Sequence, residues 1–91
     1  MQLEIVSPEA RLFSGEVSSL ILPGSSGSFQ VLDHHAPIVS TLIEGTVKIA
    51  GRLEVAAAVQ DKFRNEGDWT LFEITSGAIE MRDNKVILLT D

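Results

Sequence analysis

The adjacent histidines His34 and His35 follow Asp33, and this trio has the side chains best suited to ligate a metal or move a proton. In an extended chain neighbouring side chains point to opposite faces, so the two rings diverge. Three ligand candidates at a spacing of one residue do not resemble a zinc site. The expected roles are plainer: one histidine caps or packs a loop, and the other is solvated. The run Gly24-Ser25-Ser26-Gly27 is small enough for a backbone phosphate cradle. Such a cradle needs a helix N-terminus behind it and usually a lysine. Here a β-type run follows and no lysine is near, which favours a surface loop. No G-x-S-x-G elbow surrounds any serine. Glu16, Glu44, Glu54, Glu66, Glu73 and Glu80 are scattered, and the sequence pairs no two of them as acid and base. Catalysis by this chain alone is not expected, and no cofactor or metal is implied.

The elements that carry these residues repeat with a period of two. Leu3 and Ile5 alternate with Gln2 and Glu4, and Pro8 ends that strand. Leu12 and Ser14 alternate with Arg11, Phe13 and Gly15. A third strand holds Val17, Leu20, Ile21 and Leu22 up to Pro23-Gly24, and a short fourth follows from Phe29 to Leu32. Residues 37–42 form a fifth, and Glu44-Gly45 turns into a sixth with Val47 and Ile49 on one face. Residues 69–74 read as a strand covered on both faces for part of its length. Ile79 and Met81 alternate with Glu80 and Arg82, and Asp83-Asn84 predicts a tight hairpin into a last strand.

Strands about ten residues apart with glycine or proline turns predict an all-β fold. The expectation is a small sandwich of about ten mostly antiparallel strands, one domain spanning residues 1–91. Residues 52–68 admit two readings. One is a long hairpin arm, with residues 53–60 pairing against residues 69–74. The other inserts a short helical turn. Leu53, Val55, Ala57 and Val59 keep period two, which favours the arm.

The chain has 91 residues, a net charge of −6 and no cysteine. A domain of this size buries only about 60% of its unfolded surface, so its core is thin. The missing cysteine excludes a disulfide framework and a thiolate metal site. The negative balance disfavours nucleic acid and direct adhesion to anionic lipid. No apolar run approaches the ~20 residues that cross a bilayer. Apolar residues on more than one face suggest partners, with Ile38, Val39, Leu42 and Ile43 as candidates.

Three stretches together are more specific than any one. Residues 22–37 read L-P-G-S-S-G-S-F-Q-V-L-D-H-H-A-P. Residues 1–15 read M-Q-L-E-I-V-S-P-E-A-R-L-F-S-G, and residues 72–91 read F-E-I-T-S-G-A-I-E-M-R-D-N-K-V-I-L-L-T-D. In order and spacing they resemble the N-terminal domain of the epsilon subunit of F-type ATP synthases, called delta in mitochondria. Residues 52–69 depart from that pattern.

The resemblance implies a non-catalytic subunit of the central stalk, clamping the gamma subunit to the c ring and coupling proton or sodium flow to ATP synthesis. It implies a peripheral membrane location, at the cytoplasmic face of the bacterial inner membrane, held there by the complex rather than by lipid insertion. Carried over to this sequence, the ring-facing end comprises Gly24, Ser25, Ser26, Gly27, Ser28, Asp33, His34 and His35. Ser28 stands where some members carry an acidic residue. The gamma-facing surface is expected around Ser40 and Leu42. The helical pair that follows the sandwich in most members has no counterpart in these 91 residues, which admits a natural short form or a trimmed chain; the short form is favoured, and at most weak ATP binding is expected. The alternative is a stand-alone β-sandwich binding module, for carbohydrate or for a protein ligand. Such modules display aromatic platforms, whereas this chain has one tryptophan, four phenylalanines and no tyrosine.

Overall fold

A computed structural model describes residues 1–91 and contains ten strands. They are β1 (Gln2–Val6), β2 (Arg11–Glu16), β3 (Ser19–Gly24), β4 (Gly27–Leu32) and β5 (Ile38–Leu42). After them come β6 (Gly45–Ala50), β7 (Phe63–Glu66), β8 (Trp69–Ile74), β9 (Gly77–Arg82) and β10 (Lys85–Thr90). The hydrogen-bonded path runs β2-β1-β10-β9-β5-β3-β6-β8-β7, with β4 on the other side of β3. Between β5 and β3 only Gly24 and Leu42 pair, and there the path doubles back. The result is two layers, β2-β1-β10-β9-β5 and β4-β3-β6-β8-β7. All ladders are antiparallel except β1 with β10.

Period two fills the space between the layers. Leu3 and Ile5 of β1, Val86 and Leu88 of β10, and Ile79 and Met81 of β9 face inward from the first layer. Leu20 and Leu22 of β3, Val47 and Ile49 of β6, and Phe72 and Ile74 of β8 meet them from the second. These residues belong to one cluster, so both layers share a core. Each fully buried aliphatic side chain contributes about 1.5–3 kcal/mol relative to exposure. The Asp83-Asn84 turn has φ values of 53° and 57°, the type I′ geometry that matches strand twist and suits this residue pair.

The arm expected over residues 53–60 is not a strand. Gly51 adopts a φ of 99°, which turns the chain out of β6. The buried Thr70 hydroxyl then donates to the Gly51 carbonyl at 2.8 Å and accepts from the Leu53 N–H at 3.1 Å. These bonds divert the chain before it can pair with β8. Ala57–Lys62 forms a single 3-10 segment, with Val59 packed against the core. The partner of β8 is β7, with Phe63 opposite Phe72 and their rings stacked at 4.9 Å. The helical-turn reading was the better one, and the hairpin exists with a shorter strand.

Candidate functional site

The β3–β4 hairpin carries the glycine-serine run. Gly24 pairs with Gly27, and Ser25-Ser26 form the tip between them. A side chain at Gly24 would meet the Gly27 carbonyl oxygen and the Phe29 ring at 2.7 Å. Glycine there lets the Phe29 ring close over the hairpin, and Gly27 supplies the φ of 123° that ends the turn. The tip is tied to the first layer: the Ser25 N–H donates to the Thr41 carbonyl at 3.1 Å, and the two hydroxyls lie 2.9 Å apart. Ser26, Gly27 and Ser28 are exposed. The tip is a small, polar, braced projection.

Asp33, His34 and His35 are not beside it. They follow β4, whose six residues separate the two turns. At ~3.3 Å per residue the separation is about 17–20 Å. The sequence reading placed both loops on one end; the register places them at opposite ends. Residues 25–26 share an end with the β5–β6 and β8–β9 turns. Residues 33–37 share the other with Met1 and the Asp83-Asn84 turn.

The second cluster is built on the N-terminus. The Met1 α-ammonium donates to the Val17 carbonyl at 2.9 Å and to the Asp33 carboxylate, and lies 3.4 Å from Glu16 Oε2. Hydrogen bonding to Asp33 chiefly holds this amine above its ordinary pKa, against an opposing desolvation. The same bond chiefly holds the Asp33 carboxyl below its ordinary value. His34 is not extended as expected. It takes a φ of 61°, and its N–H donates to Asn84 Oδ1 at 2.7 Å. The His35 N–H donates to the Leu32 carbonyl at 3.1 Å, and its Nδ1 lies 2.7 Å from the Ala36 carbonyl. Both rings are exposed. No group of three or more His, Asp or Glu side chains converges as metal ligands would.

On β5 the two residues expected near a partner differ. Ser40 is half-buried and Leu42 is 4% exposed in the core. Their neighbour Val39 is 81% exposed on the outer face. Ile43 is exposed after the strand, and Ile38 packs partly against the core. Strand register aligns Val39 with Glu80 and Ile87, and Thr41 with Ala78, Leu89 and Val6. The outer face of the first layer thus carries an apolar row, of which only Val39 had been named as a candidate. The alternation of β9 and β10 held the signal, since Ala78, Ile87 and Leu89 fall on the side opposite the core residues.

A concavity of about 550 Å³ lies at the hairpin-tip end of the sandwich, lined by the β1–β2 turn, residues 59–64 and the chain end. Arg64 is paired with Glu73 at 2.9 Å, and Asp91 accepts from the Ser76 N–H at 3.2 Å. Arg64 and Glu73 are thus engaged with each other, while Asp91 is held by the neighbouring backbone. No helix is long and apolar enough to cross a membrane.

Comparison with known proteins gives a consistent answer. Residues 1–63 match the family described as the ATP synthase delta/epsilon chain, beta-sandwich domain. An ATP synthase epsilon chain from Chlorobium limicola is 40% identical over 90 residues, 99% of this chain and 88% of that one. One from Leptospira borgpetersenii is 37% identical over the whole of this chain but only 61% of its own length. Among solved structures, a chain of the Tetrahymena thermophila mitochondrial ATP synthase central stalk and c ring superposes with a TM-score of 0.73 at 16% identity. The match covers 98% of this chain and 61% of that one. At that identity the likeness establishes the fold.

Proposed function

The chain belongs to the ATP synthase delta/epsilon family of non-catalytic subunits, and from that premise we propose that it is a rotor part clamping the gamma subunit to the c ring. The observation that carries this reading is the match to the Chlorobium limicola epsilon chain, which extends over nearly the full length of both proteins. In this role the domain couples proton or sodium flow to ATP synthesis at the cytoplasmic face of the bacterial inner membrane. It is held there by its partners.

The geometry suits a mechanical part. Ten strands close on one core, and the two layers are stitched where Ser25 and Ile43 bond across to Thr41 and Pro23. Such a body resists shear, because sliding one layer would break these two backbone hydrogen bonds and the Gly24–Leu42 pairing together. The ring-facing element is the β3–β4 tip at residues 24–28. Its small side chains let backbone approach another protein's polar loops closely. Asp33, His34 and His35 sit at the far end and shape that end rather than touching the ring. The gamma-facing surface is the outer face beside Ser40, where Val39 and Leu89 are exposed and Leu42 supports β5 from the core side.

The test is coupling in reconstituted vesicles, with proton pumping measured against ATP hydrolysis. Ser26→Trp places bulk on the exposed tip without touching the core, and should lower the pumping ratio while hydrolysis continues. An unchanged ratio in Ser26→Trp, with a lowered one in His35→Ala, would assign the ring to the opposite end.

A further inference from the structure

Four strands stand at the borders of the two layers, and three of them are guarded. β2 carries Arg11 and Glu16 and has a register irregularity against β1. β7 is only four residues long and carries Arg64 and Glu66. β5 is stitched to β3 by the Gly24–Leu42 pair, by the Ser25 N–H on the Thr41 carbonyl and by the Ile43 N–H on the Pro23 carbonyl. Charge, shortness, irregularity and covering are the means by which sheet edges avoid pairing with other chains. β4 has none of them. Its six residues, G-S-F-Q-V-L, include no charge and no proline, and its register with β3 is unbroken. Nothing pairs with its other side. The register shows which backbone groups are open there. Pro23 lies opposite Ser28 and has no N–H, so that pair cannot exchange two bonds. Bonded and non-bonded pairs alternate along an antiparallel ladder. Gly27, Phe29 and Val31 therefore bond to β3, whereas Ser28, Gln30 and Leu32 turn their N–H and carbonyl groups to the free edge. The side chains alternate too: Phe29 and Val31 pack on the core side, and Ser28, Gln30 and Leu32 are exposed on the other.

We propose that the free edge of β4 is a self-association surface, on which a second copy of this chain adds its own β4 antiparallel about a two-fold axis at Gln30. The strand is complementary to itself in this register. The open groups of Ser28 meet those of Leu32 in the second copy, and those of Gln30 meet their own equivalents. Phe29 falls opposite Val31 of the second copy on the core side, an aromatic–β-branched pair that the symmetry repeats. No charge lies in the seam to repel an identical strand. The second layers of the two copies then continue as one sheet. Outside the seam each chain carries a net charge of −6, so the two bodies repel, and salt strengthens the pairing by screening them.

The inference concerns the free chain, so its failure leaves the proposed function untouched. Sedimentation equilibrium of the 91-residue chain from about 10 μM to about 1 mM covers the affinities of small, transient contacts. A monomer–dimer equilibrium that tightens with added salt is expected. In the same samples, amide hydrogen exchange should slow several-fold at Ser28, Gln30 and Leu32 as concentration rises. It should stay constant at Phe29 and Val31, whose N–H groups already bond within the chain. Gln30→Pro removes an N–H that β3 does not use, so it should keep the fold and abolish the dimer. A chain that stays monomeric at about 1 mM overturns the proposal and leaves the edge to an extended segment of another protein. A dimer that persists in Gln30→Pro, or that leaves exchange at Ser28, Gln30 and Leu32 unchanged, also overturns it. Should Gln30→Pro fail to fold, Gln30→Lys decides, because it sets two like charges side by side at the axis. Weakened pairing then supports the proposal, and undiminished pairing overturns it.

Discussion

Leu42 and Val39 lie three residues apart on β5, and the structure gives them opposite consequences. Leu42 is 4% exposed and belongs to the core cluster; its Cδ1 lies 3.7 Å from where a side chain on Gly77 would sit. Leu42→Ala removes three buried carbons at the one point where the two layers pair, between Gly24 and Leu42. The two strand partners of Leu42, Gly24 and Gly77, carry no side chains that could move into the void. The expected cost is about 2–5 kcal/mol. A 91-residue domain has roughly 5–14 kcal/mol in total, so this is a large share. At about 4–8 °C per kcal/mol, the melting midpoint should fall by more than about 8 °C. Val39→Ala, at 81% exposure, should stay within about 0.5 kcal/mol. Urea unfolding of both variants, followed by circular dichroism, makes the comparison. A Leu42→Ala midpoint within error of the parent, or a Val39→Ala loss as large as that of Leu42→Ala, would refute the assignment of these two faces.

Thr70→Val should cost about 1–3 kcal/mol, because it leaves the Gly51 carbonyl and the Leu53 N–H without their shared hydroxyl; urea unfolding measures it. The same change should speed proteolysis within residues 51–62, while β1 and β10 stay protected. The Met1–Asp33 pair predicts a pH window. The Asp33 carboxyl is depressed in the folded state, so its contribution is present above its unfolded pKa near 3.9 and is lost as pH falls further. The Met1 amine is raised, so its contribution is present below about pH 8 and is lost as pH rises beyond it. Melting midpoints from pH 3 to 10 should therefore be highest between about pH 4 and 8, and Asp33→Asn should flatten the alkaline decline. A profile unchanged by Asp33→Asn would refute the pairing.

Much of the fold was legible because its signal is local. Leu3 with Ile5, Val47 with Ile49, and Ile79 with Met81 each show period two and each face the core. Asp83-Asn84 announced its turn by composition. The arm at residues 53–60 misled because Val55 and Val59 also keep period two, while its fate was decided by Thr70 from another strand. The candidate site was half legible. The run at residues 24–27 was read as a surface loop, and only Ser25-Ser26 form one, with Gly24 and Gly27 already paired in the strands; its grouping with residues 33–37 ignored the length of the strand between them. Counting six extended residues would have separated the two. The Met1 cluster had no local signal at all: it depends on β1 lying parallel to β10 and on β4 ending beside them, which only the assembled sheet provides.

The chain contains no cysteine, so single cysteines report unambiguously on its surroundings. Ser26→Cys places a thiol on the exposed β3–β4 tip, and Ser18→Cys places one on the exposed turn at the opposite end. Each variant is assembled into the ATP synthase with a cysteine in the polar loop of the c subunit, oxidised, and resolved by size. A ring-facing rotor subunit predicts a disulfide-linked product with the c subunit for Ser26→Cys and none for Ser18→Cys. A product from Ser18→Cys alone, or failure of the chain to assemble with the enzyme at all, would contradict the account.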